Sequence, residues 1–506
     1  MSFLKSPRNL TIIALISILS ACGGGGSDPT EASASDIAVG TSLSGPTPFI
    51  SFLPINGSSI KKIIRYDYTI EPLPGSVSKP VHVSYSPDAL IQKKYLTGGA
   101  DTMTMPIFGL YAGNSNRIKI LLRFSDNSVQ EIDTAISTPV YVDPSGVYDH
   151  VNILKKRTEN DKIDFDYFLM KSSTNGPMVV DTDGQIRWVS PLAINAYSSI
   201  FSENKFIVGD ADSTDIHIIE LDGKIANTVL NTTNYQKFHH NIDSGKNALL
   251  GEFNTLVGGE DNLESTLAEF TPSGEILNQW DFAAILGNYM SSNGDDPSTF
   301  IRPGVDWFHM NASTYDASDD SIIASSRENF VIKIDYHTGN IKWILGDPTK
   351  YWYTFPSLRA KALNLNADGL YPIGQHAISM TSDGFMMLFN NGAPSYNQPS
   401  DKPTGASRSY SAVSVYSIDT TYMSANNIWN FDYDKSISSR ICSSAYQTAN
   451  RSTIISYATA NDGSNARLVG LDPAGNVVFD FEYTNKSTCS SSWNANVIRF
   501  EDLKIM

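Results

Sequence analysis

The sequence predicts an all-β protein, a six-bladed β-propeller preceded by a small N-terminal β-sandwich. Three observations carry that expectation. Short apolar runs separated by turn residues continue along most of the chain, a strand–turn–strand phrase recurs, and long helical periodicity is nearly missing. With 506 residues, the chain is long enough for one large core or two moderate ones.

From its start the chain divides into four expected segments. Lys5 and Arg8 precede the apolar run Leu10 to Leu19, which is too short to span a bilayer and reads as a signal segment over 1–21. Leu19-Ser20-Ala21-Cys22 resembles the bacterial lipoprotein processing box, which implies cleavage before Cys22 and its acylation; an ordinary secretory peptide is the alternative. Gly23 follows the cysteine where an inner-membrane retention signal would be Asp, so the expected location is the periplasmic face or surface of the outer membrane. Residues 22–40 read as a flexible tether, since Gly23 to Gly26 lead into a run of small and polar residues. In an oxidising compartment the two remaining cysteines, Cys442 and Cys489, suggest one disulfide, with two buried thiols as the alternative.

Residues 41–145 are strand-like, with "KKIIRYDYTI", "KPVHVSYS" and "RIKILLRFSD" alternating at a period of two and Asp126-Asn127 marking a turn, the pattern of a small antiparallel sandwich. Residues 146–506 carry the repeat. Hairpin phrases occur at Val179 to Trp188, Ile219 to Ile225, Glu269 to Leu277, Ile334 to Trp343 and Leu471 to Phe479, each with Gly in its turn. A degraded sixth copy runs from Ser417 to Asn430. One hairpin cannot bury its own apolar face, whereas blades bury faces against neighbours, so six copies point to a propeller; a sandwich plus barrel is the competing architecture. Asp281 to Tyr289 is the one stretch with a helical pattern, read as scaffold.

A formal net charge of −16 excludes nucleic acid as a partner, because phosphates would be repelled. Among eight histidines, three settings stand out: Phe238-His239-His240-Asn241, Asp306-Trp307-Phe308-His309 and Gly374-Gln375-His376-Ala377. Each comes just before an apparent strand ("NALLGEF", "DSIIASSR", "GFMMLFNN"), and repetition at one phase should gather the imidazoles around a central channel. Strand alternation should turn one of His239 and His240 inward and the other outward, without saying which. Arg327 ends the second of those strands, and its fork of donors suits a sulfate or carboxylate; a salt bridge to Glu328 is the plainer role. Trp307, Phe308, Tyr351, Trp352 and Tyr353 could line an aromatic funnel or fill a core. The acids from Asp306 to Asp347 are explained by turns and solvent. No His pair has metal-ligand spacing and no Gly loop cradles a phosphate, so no metal, nucleotide or other cofactor is expected.

The stretch "DWFHMNASTYDASDDSIIASSRENFVIKIDYHTGNIKWILGDP", with "FHHNI" before it and "GQHA" after, resembles the arylsulfate sulfotransferase family. The resemblance implies a six-bladed propeller with an N-terminal sandwich. It also implies sulfuryl transfer from a phenolic sulfate ester to a phenol without a nucleotide donor, by a ping-pong route through a sulfohistidine. It places the covalent histidine at His376, further histidines at His309 and at His239 or His240, and the anion-binding arginine at Arg327. The resemblance implies an Asp or similar polar residue after the histidines of the first and third motifs, where this chain has Asn241 and Ala377. The family is often dimeric, which leaves a homodimer open. A noncatalytic binding propeller and an aryl sulfate ester hydrolase are the alternative functions.

Overall fold

Residues 36–96 and 101–506 are described by a computed structural model; the expected signal segment and Cys22 lie outside them. Those residues are almost all β. The meander Ser199–Ser202, Lys205–Gly209, Asp215–Glu220 and Ile225–Val229 forms one antiparallel sheet, and Tyr235–Ser244, Leu249–Val257, Glu260–Phe270 and Ile276–Asp281 form the next. The pattern repeats with Met310–Asp316 to Ile341–Leu345, His376–Met380 to Ser424–Phe431, and Ser444–Gln447 to Val477–Thr484. A further sheet combines Tyr167–Lys171, Met178–Asp181 and Ile186–Val189 with the late strand Asn494–Ile498.

All six expected hairpins are outer strand pairs of these six sheets. Five turn on a left-handed glycine, as at Gly274 (φ 92°), while in the degraded copy Met423 takes the left-handed position at φ 47°. Buried sheets read as near-continuous apolar runs because both faces meet a neighbour. In Val331–Asp335, for instance, Ile332 and Ile334 pack with Leu250, Leu267 and Trp280, while Val331 packs with Ile378, Met386 and Leu388. Every sheet shares a core with the next in sequence, and the last shares one with the first, Phe479 and Phe481 lying with Phe168 and Val180. A cavity of about 510 Å³ is lined by residues from all six innermost strands.

Ahead of these sheets, Ile50–Asn56 pairs with Thr102–Phe108, and Ile63–Ile70 lies between Val81–Tyr85 and Ser115–Phe124. The two groups share one core. Two boundaries differ from expectation. Ala38–Val39 already pairs with Ile55 and Asn56 inside the supposed tether, and the final strand Leu503–Ile505 returns to pair with Val81–Tyr85. Helix Phe282–Ser292 begins where the pattern placed it, capped by the Asp281 carboxylate accepting from the Ala283 and Ala284 amides. Cys442 and Cys489 are disulfide-bonded. No helix among the described residues is long and apolar enough to cross a membrane.

Fully buried Arg187 joins the N-terminal sheets to the others. It donates to the Gly109 carbonyl (2.7 Å) and Asp181 (3.2 Å), and its guanidinium lies 3.6 Å from the Tyr111 ring centre. Replacing Arg187 with Met leaves the buried Asp181 carboxylate without its countercharge. The expected cost is about 3–5 kcal/mol, read as a lower urea midpoint.

Candidate active site

The three histidine motifs lie on or at the head of the strands that directly precede those apolar runs, Tyr235–Ser244, Met310–Asp316 and His376–Met380. Each strand breaks register there: between His239 and Ile242, between Met310 and Ala312, and between His376 and Ser379. In or directly beside each break stands a left-handed residue that is not glycine, namely His240 (φ 48°), His309 (φ 49°) and Ala377 (φ 52°). Such backbone costs on the order of 1–3 kcal/mol per residue and persists where its surroundings hold it. Bulges re-aim side chains. Here the alternation expected of His239 and His240 fails, and both rings turn into one cluster, with centroids 4.2 Å apart.

His240 is the member that meets the other motifs, its ring centre 4.6 Å from His309 and 6.1 Å from His376. His239 instead donates through Nε2 to Glu264 Oε1 at 2.5 Å. Glu264 Oε2 lies 2.7 Å from His309 Nδ1, and Asp306 Oδ2 lies 2.5 Å from the same nitrogen. His376 presents Nδ1 to Asn391 Oδ1 (2.9 Å) and to the Gly374 carbonyl (3.0 Å). A hydrogen bond from Asn311 Nδ2 to the Gln375 carbonyl (2.8 Å) ties the second motif to the third.

Electrostatics separate these rings. Burial, with His309 and Arg327 nearby, pushes His376 down to about 3, so it is neutral with a free lone pair on Nε2. Burial and the neighbouring rings likewise hold His240 well below the usual imidazole value. For His309 burial acts downward too, but the Glu264 carboxylate outweighs it and lifts the ring to about 9. Burial raises Glu264, yet His309 and His239 hold it well below the ordinary carboxylate range. A neutral imidazole and a protonated one thus sit side by side.

Arg327 makes the predicted salt bridge, donating from Nε to Glu328 Oε1 at 2.8 Å and again from Nη2. Buried Glu328 is itself fixed by the Tyr396 and Asn397 amides, so one edge of the guanidinium is oriented. Tyr396 lies 5.2 Å from the guanidinium carbon.

The open choice for the aromatics resolves to core, and one expectation, that for Asp306, is corrected. Trp307, Phe308, Tyr351 and Trp352 are buried core, with Tyr353 packed against them; the aromatic rings beside the histidines are Trp493, 5.5 Å from His240, and Tyr197, 6.4 Å from His239. Asp306 is no solvated turn acid but a partner of His309. Asn241 is satisfied by Lys171 Nζ (2.6 Å) and Asp243 (2.8 Å).

Glu264 and Asn391 were missed. A polar Glu264-Ser265-Thr266 run inside a buried strand, and the paired Asn390-Asn391 ending "GFMMLFNN", were the available signals. Ligand atoms of His240, His309 and His376 lie within 4.8 Å of one another, as do those of Glu264, Asp306 and His309. A cation is thus sterically possible there, but the charge of Arg327 already acts on His309 and His376 and opposes it.

The family model for arylsulfotransferase (ASST) matches residues 145–494, more than half of the chain and all three motifs. The chain belongs to the arylsulfotransferase family. The chain is 29% identical over 174 residues to the arylsulfate sulfotransferase AssT of Escherichia coli O6:H1, a match over 31% of this chain and 28% of that one. It is 29% identical over 146 residues to the AssT of Lelliottia amnigena, covering 26% and 23%. The matched stretches thus span roughly a quarter of those curated relatives' length. Among solved structures, the β-propeller domain of Cps50 (Swd1) from Myceliophteria thermophila covers 65% of this chain and is itself covered to 88%, at 11% identity and TM-score 0.33. The TolB-like protein of Agrobacterium tumefaciens covers 66%, with 98% of its own length, at 8% identity and TM-score 0.33.

Proposed function

We propose that this protein moves a sulfuryl group from an aryl sulfate ester to a phenol in two steps through His376. The observation that carries the reading is the buried pair of unlike imidazoles: His376, neutral and open at Nε2, beside His309, held protonated by Glu264. In the first step the Nε2 lone pair forms a bond to sulfur, the sulfur–oxygen bond to the aryl group breaks, and the departing phenolate takes the proton of His309. In the second, His309 accepts the proton of an incoming phenol, whose oxygen takes the sulfuryl group and returns the electron pair to Nε2. Arg327 and the ring of His240 stabilise the sulfuryl oxygens, while His239 shares the Glu264 carboxylate. Trp493 and Tyr197 supply flat apolar surface for the arene.

The six sheets make a six-bladed propeller, supported by cores that return from the last sheet to the first, and the two N-terminal sheets make a small sandwich. The three bulged strands then bring the histidines to one end of its axis. Lipid attachment at Cys22 would hold the protein at the outer membrane, and incorporation of a labelled fatty acid lost in C22A tests it.

The deciding experiment is intact mass of protein beginning after residue 34, incubated with an aryl sulfate and no acceptor. A gain of one sulfuryl group that phenol removes supports the reading. No adduct, together with no sulfated phenol in a parallel sample, rejects it. Replacing Arg327 by Lys keeps the charge but loses the fork, and should lower kcat/KM about 10²-fold.

A further inference from the structure

We propose that Asn391 is a positioning residue: its side-chain carbonyl keeps the proton of His376 on Nδ1 and so keeps Nε2 free to take the sulfuryl group from an aryl sulfate and pass it to a phenol. The inference rests on His376 being the group that carries the sulfuryl.

Imidazole can place its one proton on either nitrogen, and only the bare nitrogen attacks sulfur. Which nitrogen is bare depends on what faces the other. Nδ1 of His376 faces two oxygens, Asn391 Oδ1 and the Gly374 carbonyl. The Gly374 carbonyl can only accept, but an amide side chain could turn over and offer Nδ2 instead, which would favour the opposite tautomer.

The surroundings forbid that turn. Asn391 Nδ2 donates to two backbone carbonyls at once, Ser439 at 2.7 Å and Cys442 at 2.9 Å. Flipping the amide would set its oxygen against both of them and its nitrogen against Nδ1–H. All of these groups are buried, so each lost pairing would go uncompensated by water. The same two carbonyls explain why the position holds an amide: an ionised carboxylate there would face them both.

The carbonyls are themselves held. Ser411 Oγ donates to the Asn391 carbonyl at 2.8 Å and accepts from the Ser439 amide at 2.8 Å. Ser439 Oγ lies 2.8 Å from Ser443 Oγ and 3.0 Å from Thr459 Oγ1. Cys442 is tied to Cys489. The chain of constraint runs from this hydroxyl-rich segment through Asn391 to one nitrogen of one ring.

An uncharged acceptor also suits a carrier that must give up its load. A sulfated imidazole that keeps its Nδ1 proton is cationic at the ring, and an anion beside that proton would stabilise it. With an amide there, the bond from Nε2 to sulfur stays labile toward a phenol oxygen.

The test compares the wild type with Asn391→Leu, which is close in size and has no acceptor. Nitrogen NMR of histidine-labelled protein should show His376 of the wild type protonated at Nδ1 and bare at Nε2, assigned by its loss in His376→Ala. Asn391→Leu, left with only the Gly374 carbonyl as acceptor, should show a measurable fraction of the Nε2–H tautomer. It should form the sulfuryl adduct at least tenfold more slowly, with KM for the aryl sulfate nearly unchanged. A purely structural role would not move the tautomer.

The proposal is overturned if the variant keeps a single Nδ1–H tautomer, or forms the adduct within twofold of the wild-type rate. It is equally overturned if the wild-type ring is protonated at Nε2, a result that needs no variant to fold. If the wild type forms no adduct at all, the transfer reading fails instead, and the tautomer of His376 still answers for Asn391.

Discussion

Replacing His376 with Ala is expected to abolish the sulfuryl adduct and to lower phenol sulfation by at least ~10³-fold, the scale on which losing a covalent nucleophile acts. Neither His309 nor His239 can replace it. His309 has Nδ1 committed to Glu264 and Asp306 and is charged near neutrality, so it lacks the lone pair. His239 is bound to Glu264 through Nε2. His240, buried and neutral with its Nδ1 against His239 and near Glu264, is the one remaining alternative. The variant should still bind an aryl sulfate through Arg327, so equilibrium binding and turnover ought to separate. Adduct formation in His376→Ala, at any rate near that of the wild type, would move the nucleophile to His240.

The second large effect is expected from Glu264→Gln. Glu264 is the main group holding His309 protonated against burial and Arg327, both of which drive its proton off. Without it, His309 should lose its acid form near neutral pH, and transfer from phenyl sulfate should fall about 10²-fold, within the usual range for a general acid. The loss should shrink for a nitrophenyl sulfate, whose leaving oxygen needs little help from a proton. In the wild type, adduct formation requires the protonated ring and should decline as pH rises through about 9. In Glu264→Gln that decline should move to lower pH. Equal losses for both esters, with no change in the pH profile, would show that Glu264 shapes the site without setting the proton on His309.

A structural cost accompanies that substitution. Glu264 is itself left-handed at φ 46° and nearly buried, so its backbone is held by the same contacts that its carboxylate makes. The unfolding midpoint of Glu264→Gln should therefore be measured beside its rates.

The β class, the six hairpins and helix Phe282–Ser292 were legible in the chain because each depends on local rules: alternation for a pleated surface, Asp and Gly for tight turns, and an Asp cap ahead of one-sided apolar spacing. His239, His240, His309 and His376 were legible as a set because repeats in phase must present equivalent positions at one place, and Arg327 because it ends the strand that follows His309. Those signals lie within a few residues of each group.

The rest required distance in space. Glu264 lies two strands away from His239 and His240 in the same sheet, and nothing local to it announces three imidazole neighbours. Asn391 earns its place only through the carbonyls of Ser439 and Cys442, which lie 48 and 51 residues farther along the chain. The bulges at His240, His309 and Ala377 override the period-two rule that would have sent His239 and His240 to opposite sides. Trp307 and Trp352 went to the core because neighbouring sheets cover them, whereas Trp493 came to the site from the far end of the sequence. Local periodicity names the elements and the candidate side chains; proton placement and ring orientation follow from partners that only packing brings within hydrogen-bond reach, since charge and burial act through space and not along the chain.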